Sequence, residues 1–390
     1  MNDVELKLGI IGQGSRATDV LRNILMTEIP VRLTCVSDPD HISCRSRLES
    51  IKVDPDTVRF YNDADIMLDE NDFDGIIIGT HCDLHTQYAV KVLKRNINLY
   101  LEKPLALTIK DLNILRDAYE KSSSKVLVSL PLRVTYLAKL ARDIIRSGSI
   151  GQIEHVEAYN NVAYGDVYYQ SWYRNEKLTG GLFIQKAVHD FDYINNIIGL
   201  KPVMICAMKS KQVFKGDKKA GTTCDKCDEN ESCPQSPFVK KHIRYQHNYG
   251  NFCCFAEDTG NEDSGSAIIM YESGMHVNYT QNFFCRNTAG ERGAKFFGYK
   301  GTLDFDWSRN ILRVHHHDIP RLEEHKFSTT LEGHGGGDGA LALNFVRMLQ
   351  GKEESCAPFH DAVVSNLMCI KAKESSETYQ FLSIDCDRFE

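Results

Sequence analysis

The sequence predicts a two-domain α/β protein, in which a doubly wound parallel sheet precedes an α+β domain with a large open antiparallel sheet. Up to about Leu130, short aliphatic runs alternate with helical stretches, as in a parallel sheet covered by helices on both faces. Later segments alternate between apolar and polar residues, which is typical of antiparallel strands with one buried face. The length of 390 residues is sufficient for two hydrophobic cores.

The first domain is expected over residues 1–130. Its strands are predicted from five apolar runs: Leu6–Ile11, Val31–Ser37, Gly75–Gly79, Asn98–Leu101 and Lys125–Leu130. Helical stretches separate these runs: Thr18–Leu25, Thr86–Arg95 and Ile109–Lys121. Ligands of such sheets bind beyond the carboxyl ends of the strands, so the residues that follow each strand are candidate contacts.

The second domain is expected over residues 131–390, beginning with a linking helix at Val134–Ser147. Alternating segments predict its strands: Ile153–Tyr159, Val203–Ser210, Ser264–Glu272, Met275–Phe283, Ala294–Gly298, Thr302–Asp306 and Ile311–His315. The turn Glu272-Ser273-Gly274 predicts a hairpin between Tyr271 and Met275. Helices are expected at Asp338–Gln350 and Ala362–Tyr379, and a Cys-rich insertion at about 216–255.

A glycine-rich turn directly follows the first strand. Gly12, Gly14 and Ala17 occupy the first, third and sixth positions of the G-x-G-x-x-G/A pattern. This pattern predicts a Rossmann unit that binds the pyrophosphate of a nicotinamide dinucleotide at the turn and at the N terminus of the next helix. Ser15 and Arg16, in the same turn, are candidate cofactor contacts.

The choice between NAD and NADP depends on the end of the second strand. Asp38 lies at about the distance where an acidic residue binds the ribose hydroxyls, which favours NAD. Arg45 and Arg47 follow a few residues later and offer an alternative site for the additional phosphate of NADP. A second alternative is that Asp38 is an ordinary turn residue before Pro39.

Candidate cofactor contacts also follow the next two strands: Thr80, His81 and His85 after one, and Glu102 and Lys103 after the other. A lysine beside the nicotinamide can donate a hydrogen bond to a substrate oxygen and carry its proton while hydride leaves the neighbouring carbon. Lys103 is therefore a candidate catalytic residue. The alternative is a surface lysine before Pro104.

A second cluster follows Gly180-Gly181. On an α-helix, the spacing of Gln185, His189 and Asp192 places them on one face. His189 is a candidate acid or base for a substrate hydroxyl, with Asp192 or Asp190 fixing its tautomer. The alternative is a core histidine satisfied by a carboxylate.

These motifs, in this order, resemble the Gfo/Idh/MocA oxidoreductases, named for glucose-fructose oxidoreductase and inositol dehydrogenase: Gly-x-Gly-x-x-Ala at 12–17, Glu102-Lys103-Pro104, and the Gly-Gly stretch leading to His189 and Asp192. The resemblance extends to the helix after Gly335-Gly336-Gly337-Asp338. It implies an NAD(P)-dependent enzyme acting on a sugar, polyol or related hydroxyl compound. Lys103 is then the proton-handling lysine, and His189 the substrate-binding or acid–base histidine. It also implies a homo-oligomer, a dimer or tetramer, formed by packing of the open sheets.

One position departs from the family pattern, which has an aspartate four residues before the histidine. Here that position is Gln185, whose amide can orient a hydroxyl but cannot take its proton. Lys186, one residue on, is a further candidate for the substrate site, in a subgroup with a lysine ahead of His-Asp-Phe-Asp. Further candidate substrate contacts are aromatic and guanidinium groups suited to polyhydroxylated rings: Arg133, Tyr164, Trp172 and Arg174.

Cysteines in the polar insertion suggest a metal. Cys224, Cys227 and Cys233 have spacing typical of ligands in a closed structural zinc site. Cys253 and Cys254 follow later in the insertion, and the resemblance to the family subgroup implies Cys253 as the fourth ligand. Free thiols are the alternative. His315-His316-His317 is interpreted as a surface run, because neighbouring strand residues point to opposite faces.

Composition excludes several classes of function. A net charge of −7 with acidic residues spread along the chain is unlike a nucleic-acid-binding surface. The start of the sequence is polar, and no apolar run reaches the length of a membrane span, so a cytoplasmic protein is expected. The sequence thus predicts hydride transfer between NAD and a secondary hydroxyl or ketone. Two alternatives are NAD-dependent glycoside cleavage by transient oxidation and elimination, and a non-catalytic sugar or NAD sensor.

Overall fold

The computed structural model describes residues 5–240, 250–327 and 334–386. They divide into two compact units, and the first consists of Met1–Lys139 and Thr330–Leu367 as far as these residues are described. The second consists of Leu140–Thr329 and Met368–Arg388, with the same limit. The backbone N–H of Val128 donates to the carbonyl of Ala357, so a late segment of the chain belongs to the first unit. The domain boundary expected from the sequence, at residue 130, assigns that segment to the second domain instead.

The sheet of the first unit contains six strands, which are β1 (Leu6–Ile11), β2 (Val31–Ser37), β3 (Arg59–Tyr61), β4 (Gly75–Ile78), β5 (Asn98–Leu101) and β6 (Val126–Val128). All neighbours are parallel, in the order β3-β2-β1-β4-β5-β6. Every residue of β4 is buried, as expected of a central strand with helices on both faces. The parallel doubly wound sheet predicted from the sequence is confirmed.

The sheet of the second unit contains β7 (Ile153–Asn161), β8 (Pro202–Ser210), β9 (Ser264–Tyr271), β10 (His276–Asn282), β11 (Glu291–Gly298), β12 (Gly301–Asp306), β13 (Ile311–His316), β14 (Leu322–Lys326) and β15 (Leu382–Ser383). The order is β14-β13-β12-β11-β7-β10-β9-β8-β15. Along β9, Ala267 and Ile269 are buried, whereas Ile268 and Met270 are exposed. The predicted open sheet and the hairpin between β9 and β10 are both confirmed.

The helices are α1 (Ser15–Leu25), α2 (His41–Ser50), α3 (Ala64–Glu70), α4 (His85–Leu93), α5 (Ile109–Glu120), α6 (Tyr136–Arg146), α7 (Val167–Gln170), α8 (Glu176–Thr179), α9 (Val188–Ile198), α10 (Pro237–Lys240), α11 (Gly337–Leu349) and α12 (Phe359–Thr378). Helix α9 covers the buried face of the second sheet, where Phe191 packs against Tyr279 with ring centroids 5.2 Å apart. No helix in the described part of the chain is long and apolar enough to cross a membrane.

Three features differ from the sequence-based expectations. Strands β7 and β10 pair in parallel, so the second sheet is mixed rather than wholly antiparallel. Strand β3 has only three residues and β14 is highly charged, and neither shows an apolar pattern. A π-helical turn at Phe183–Ala187 precedes α9, so α-helical spacing does not set the directions of its side chains.

The Cys-rich insertion is held by backbone and apolar contacts. Residues 241–249 of it lie outside the described part. Thr223 pairs with Phe252 in an isolated antiparallel bridge. Cys254 and Phe214 are buried in a hydrophobic cluster, where the Phe214 ring lies 4.3 Å from that of Tyr169. The insertion therefore has apolar anchors of its own.

Candidate active site

The turn after β1 brings the chain very close to the end of β4. Gly12 has a φ of +76°, and a Cβ there would lie 2.7 Å from the Cα and N atoms of Thr80. A Cβ on Gly79 would lie 2.6 Å from the Cβ of Ala17, on the first turn of α1. Only small residues permit these two approaches, and together they place the N terminus of α1 beside the carboxyl edge of the sheet.

Gly14 is the N-cap of α1 and, because it has no side chain, makes no capping hydrogen bond to this end of the helix. Asp38, at the end of β2, accepts hydrogen bonds from the backbone N–H groups of Gln13 and Asp40, each at 2.9 Å. The carboxylate is thereby fixed next to the glycine-rich turn. The structure brings Asp38 and the turn together, as the sequence pattern requires.

The segment after β5 is positioned by buried side chains. The ring nitrogens of His85 lie 2.6 Å from the carbonyl oxygen of Pro104 and 3.1 Å from that of Thr80. Burial lowers the pKa of His85. His85 therefore links the loop after β4 to the loop that carries Lys103. His81, in contrast, is exposed.

Arg16 connects three segments of the first unit. Its guanidinium pairs with Glu102 at 3.0 Å and with Asp338 at the start of α11. His334 lies 2.9 Å from the other oxygen of Asp338. Burial raises the pKa of Asp338, but hydrogen bonds from His334 and Arg16 outweigh it and hold the pKa below its ordinary value. Arg16 and Glu102, both predicted cofactor contacts, are thus bonded to each other.

In the second unit, Gly180 and Gly181 lead into the π-helical turn, both with positive φ. The carboxylate of Glu262 accepts hydrogen bonds from the N–H groups of Leu182 and Phe183, at 2.9 and 3.0 Å. Burial raises the pKa of Glu262 despite these donors. A residue distant in sequence therefore caps this helical segment.

The candidate side chains of this segment are buried. Gln185 and Lys186 are each 3% exposed, His189 is 4% exposed and Asp192 is 1% exposed. Lys186 donates to the hydroxyl of Tyr164 at 2.5 Å, so the structure brings these two predicted residues together.

The remaining predicted substrate contacts lie in separate places. In the first unit, Arg133 is 2% exposed and pairs with Asp361 at 2.9 Å. In the second unit, Arg174 pairs with Asp258 at 2.6 Å, and its guanidinium lies over the ring of Phe252. Trp172 stacks on the neighbouring ring of Tyr173 at 4.0 Å. Each of these guanidinium and aromatic groups has a partner within its own unit.

Sequence reasoning missed several residues of these networks. Arg292 and Tyr279 contact Asp190 from β11 and β10, and Asp338 contacts Arg16 from α11. They are distant in sequence from their partners, and no sequence pattern links them to those partners. One sequence signal was available for Tyr279: the alternation of apolar and polar residues along β10 assigns this position to the buried face of the sheet.

The predicted zinc site is not supported by the structure. Among the described residues, no group of three or more His, Cys, Asp or Glu side chains is arranged to hold a metal ion. Burial, with the neighbouring thiols of Cys253, Cys233 and Cys227, raises the pKa of Cys224 to about 11.

Comparison with known protein families assigns both halves of the chain. Residues 6–130 match the model of the oxidoreductase family with an NAD-binding Rossmann fold. Residues 138–304 match the model of the GFO/IDH/MocA C-terminal domain. The chain belongs to the Gfo/Idh/MocA family. It is therefore an NAD-binding oxidoreductase, and the predicted family and cofactor are confirmed.

Individual relatives are distant. The chain is 25% identical to the oxidoreductase YteT of Bacillus subtilis over 78% of its own length and 79% of the relative. It is 28% identical to inositol 2-dehydrogenase of Salmonella typhimurium, over 40% of this chain and 46% of that protein. Among solved structures, levoglucosan dehydrogenase in complex with NADH and levoglucosan has a TM-score of 0.77 at 15% identity, covering 98% and 99% of the two chains.

The ion pairs around Arg16 predict that the free energy of unfolding decreases at acidic pH. Because the folded-state pKa of Asp338 is lowered, this carboxylate stabilises the fold at neutral pH, and the contribution is lost as the pH falls below about 4. We expect Asp338→Asn to reduce the free energy of unfolding by roughly 1–3 kcal/mol at pH 7 and to flatten its decline in acid. Urea denaturation over a pH series measures both effects.

The control is Asp19→Asn, which removes an exposed carboxylate paired with Arg22 on α1. It is expected to change stability by less than about 1 kcal/mol. Identical pH dependence of the wild type and Asp338→Asn would contradict the assigned role.

Proposed function

We propose that this protein is an NAD-dependent dehydrogenase that interconverts a secondary hydroxyl and a ketone on a sugar, polyol or sugar derivative. The observation that carries the proposal is the position of Lys103, directly after β5 in the same unit as the glycine-rich turn. The carboxyl ends of parallel strands share one edge of the sheet, which is where such sheets bind ligands. The relatives named for inositol and levoglucosan support a polyhydroxylated substrate.

The residues of the first unit fit NAD. The close approach at Gly12 and the uncapped N terminus of α1 suit a pyrophosphate, and Asp38 suits the ribose hydroxyls. The alternative phosphate site for NADP is less favourable, because Arg45 is bonded to Asp56 and Arg47 to the carbonyl of Gln13. NAD, when bound, supplies the nicotinamide carbon that accepts hydride.

The protein's own side chains handle the proton of the reacting hydroxyl. We assign Lys103 to that oxygen: as the neutral amine it accepts the hydroxyl proton while the carbonyl forms, and as the ammonium it donates a hydrogen bond to the carbonyl oxygen in the reverse direction. His189 serves as a second acid–base or binding group, and Gln185 orients a hydroxyl through its amide. Glycoside cleavage and sensing require the same binding residues, but the relatives are named as dehydrogenases, which favours net oxidation.

A panel of sugars and polyols tests the proposed activity. With NAD and one member of the panel, the protein should form NADH in proportion to product ketone. Bond cleavage without accumulation of NADH would indicate the glycosidase, and binding without turnover would indicate the sensor.

The cofactor assignment predicts a selective loss. Asp38→Ala removes a charge-assisted hydrogen bond to the ribose, so the Kd of NAD should rise by about 30-fold, equivalent to ~2 kcal/mol, with a much smaller change for NADP. Titration calorimetry with both dinucleotides measures the difference. Glu49→Ala, which removes an exposed charge from α2, is the matched control and should leave both affinities unchanged. An equal loss for NAD and NADP would contradict the assignment.

The role of Lys103 predicts a loss of turnover. Lys103→Met keeps the length of the side chain and removes its proton, so kcat should fall by about 100-fold or more while the Kd of NAD changes little. Lys110→Met, at an exposed position of α5, is the control. If Lys103→Met retains nearly normal turnover, Lys103 is not the proton-handling residue.

We further infer a homo-oligomer formed through the open face of the second sheet. Met208 is 67% exposed and Ile268 is 51% exposed, and these apolar side chains lie on the neighbouring strands β8 and β9. Ile268→Glu should shift the protein towards monomers, because it places a charge in the contact. Sedimentation velocity measures the shift, and a monomeric wild type would refute the inference.

A further inference from the structure

A cluster of polar and charged side chains surrounds a fully buried carboxylate in the second unit. Asp190 accepts hydrogen bonds from Arg292 at 2.7 Å and from Tyr279 and Asn160 at 2.9 Å each. Its charge is balanced by the guanidinium of Arg292, and three donors satisfy its oxygens. Asp190 is therefore already neutralised by one cation.

A second cation is buried near this carboxylate. Lys186 is 3% exposed, and its ammonium donates to the hydroxyl of Tyr164 at 2.5 Å and lies 4.9 Å from the centroid of that ring. Within the described part of the chain, Lys186 forms no ion pair with a carboxylate. Burial of an ammonium without an anion costs several kcal/mol, so this arrangement favours a negatively charged ligand.

Two further groups are available to such a ligand. Nη2 of Arg292 is buried and has no hydrogen-bond acceptor among the described residues. The Tyr164 oxygen accepts from Lys186, which leaves its own O–H free to donate elsewhere. Tyr164 is 44% exposed, so the cluster is open to solvent at this point.

The electrostatics at the Tyr164 hydroxyl agree with an excess of positive charge. Loss of solvent around the hydroxyl raises the pKa of Tyr164, but the charges of Lys186 and Arg292 outweigh both this effect and the opposing charge of Asp190. The pKa of Tyr164 is lowered as a result.

We propose that Lys186 and Arg292, with the hydroxyl of Tyr164, form a subsite for a carboxylate group of the substrate, so that the substrate is an acidic sugar such as a uronic or aldonic acid. This inference rests on the proposed function and narrows its substrate class. A carboxylate only accepts hydrogen bonds, and it is bound here by an ammonium, a guanidinium N–H and a phenol O–H. A neutral polyol leaves the positive charge of Lys186 uncompensated.

Kinetics with matched substrates test the subsite. With NAD, the wild type should oxidise glucuronate or galacturonate with a kcat/KM at least about tenfold above that for glucose or galactose. Lys186→Met should lower the ratio of kcat/KM for the acids to kcat/KM for the neutral sugars by about 10- to 100-fold, the effect of a charge-assisted hydrogen bond. Lys177→Met, at an exposed position of α8, is the matched control.

A direct binding measurement keeps the test independent of turnover and of the folding of the variant. Calorimetry on the wild type with bound NADH, which cannot accept hydride from the sugar, should detect tighter binding of glucuronate than of glucose, and increasing salt should weaken binding of the acid alone. Equal affinity for acid and neutral sugar would overturn the subsite. If neutral sugars are oxidised and acids are not preferred, the subsite is refuted and the proposed dehydrogenase stands.

If acids bind through Lys186 but neither class of sugar is oxidised, the proposed function fails and the subsite stands. The remaining rival is internal neutralisation of Lys186 by an ionised Tyr164. An ultraviolet difference spectrum of the free wild type against Tyr164→Phe detects it. A tyrosinate signal at pH 7 would overturn the proposal, and its absence is the expected result.

Discussion

The geometry of the cofactor-binding unit depends on the ion pairs that Arg16 forms with two carboxylates. Arg16 lies on the first turn of α1, and it binds Glu102 after β5 and Asp338 at the start of α11, 86 and 322 residues away. Glu102 is 4% exposed and Asp338 is 6% exposed, so removing Arg16 would take the guanidinium partner from two buried carboxylates and leave Asp338 paired with His334. Such a loss costs about 3–5 kcal/mol, far more than a surface ion pair contributes.

The ion pair between Arg16 and Glu102 also restricts the backbone next to the proposed catalytic lysine, because Glu102 directly precedes Lys103. The carbonyl of Pro104 is held by His85, and the N–H of Leu105 donates to Asn366 at 2.8 Å. Fixed contacts therefore lie on both sides of Lys103 in the chain. The fixed backbone at this point sets the position from which the flexible side chain of Lys103 reaches a substrate oxygen.

The sequence was sufficient where structure follows from local patterns and insufficient where it follows from distant contacts. The strands β1, β2, β4 and β5 were predicted because each lies in a short run rich in aliphatic residues, and the glycine-rich turn because each position has a steric requirement. The partners of Arg16 and of Asp190 were not predicted, since an ion pair between distant elements leaves no periodic signal. The parallel pairing of β7 with β10 was missed for the same reason. The zinc prediction relied on cysteine spacing in a polar insertion and on the family resemblance, without knowledge of the apolar contacts of Phe214 and Cys254.

The two units differ in how a buried cation is paired, and this difference affects which substrate the second unit would favour. Arg16 pairs with two carboxylates, whereas among the described residues Lys186 pairs with the phenol of Tyr164 and with no carboxylate. The neutral Gln185, where the family pattern has an aspartate, adds to this imbalance, because a carboxylate beside Lys186 would neutralise the ammonium and repel a substrate anion. Glutamine retains the hydrogen bonds of the position without the charge. An aspartate followed by a neutral residue would give these two positions a net charge of −1, whereas Gln185 and Lys186 give them +1. This more positive charge favours binding of an acidic sugar over a neutral one.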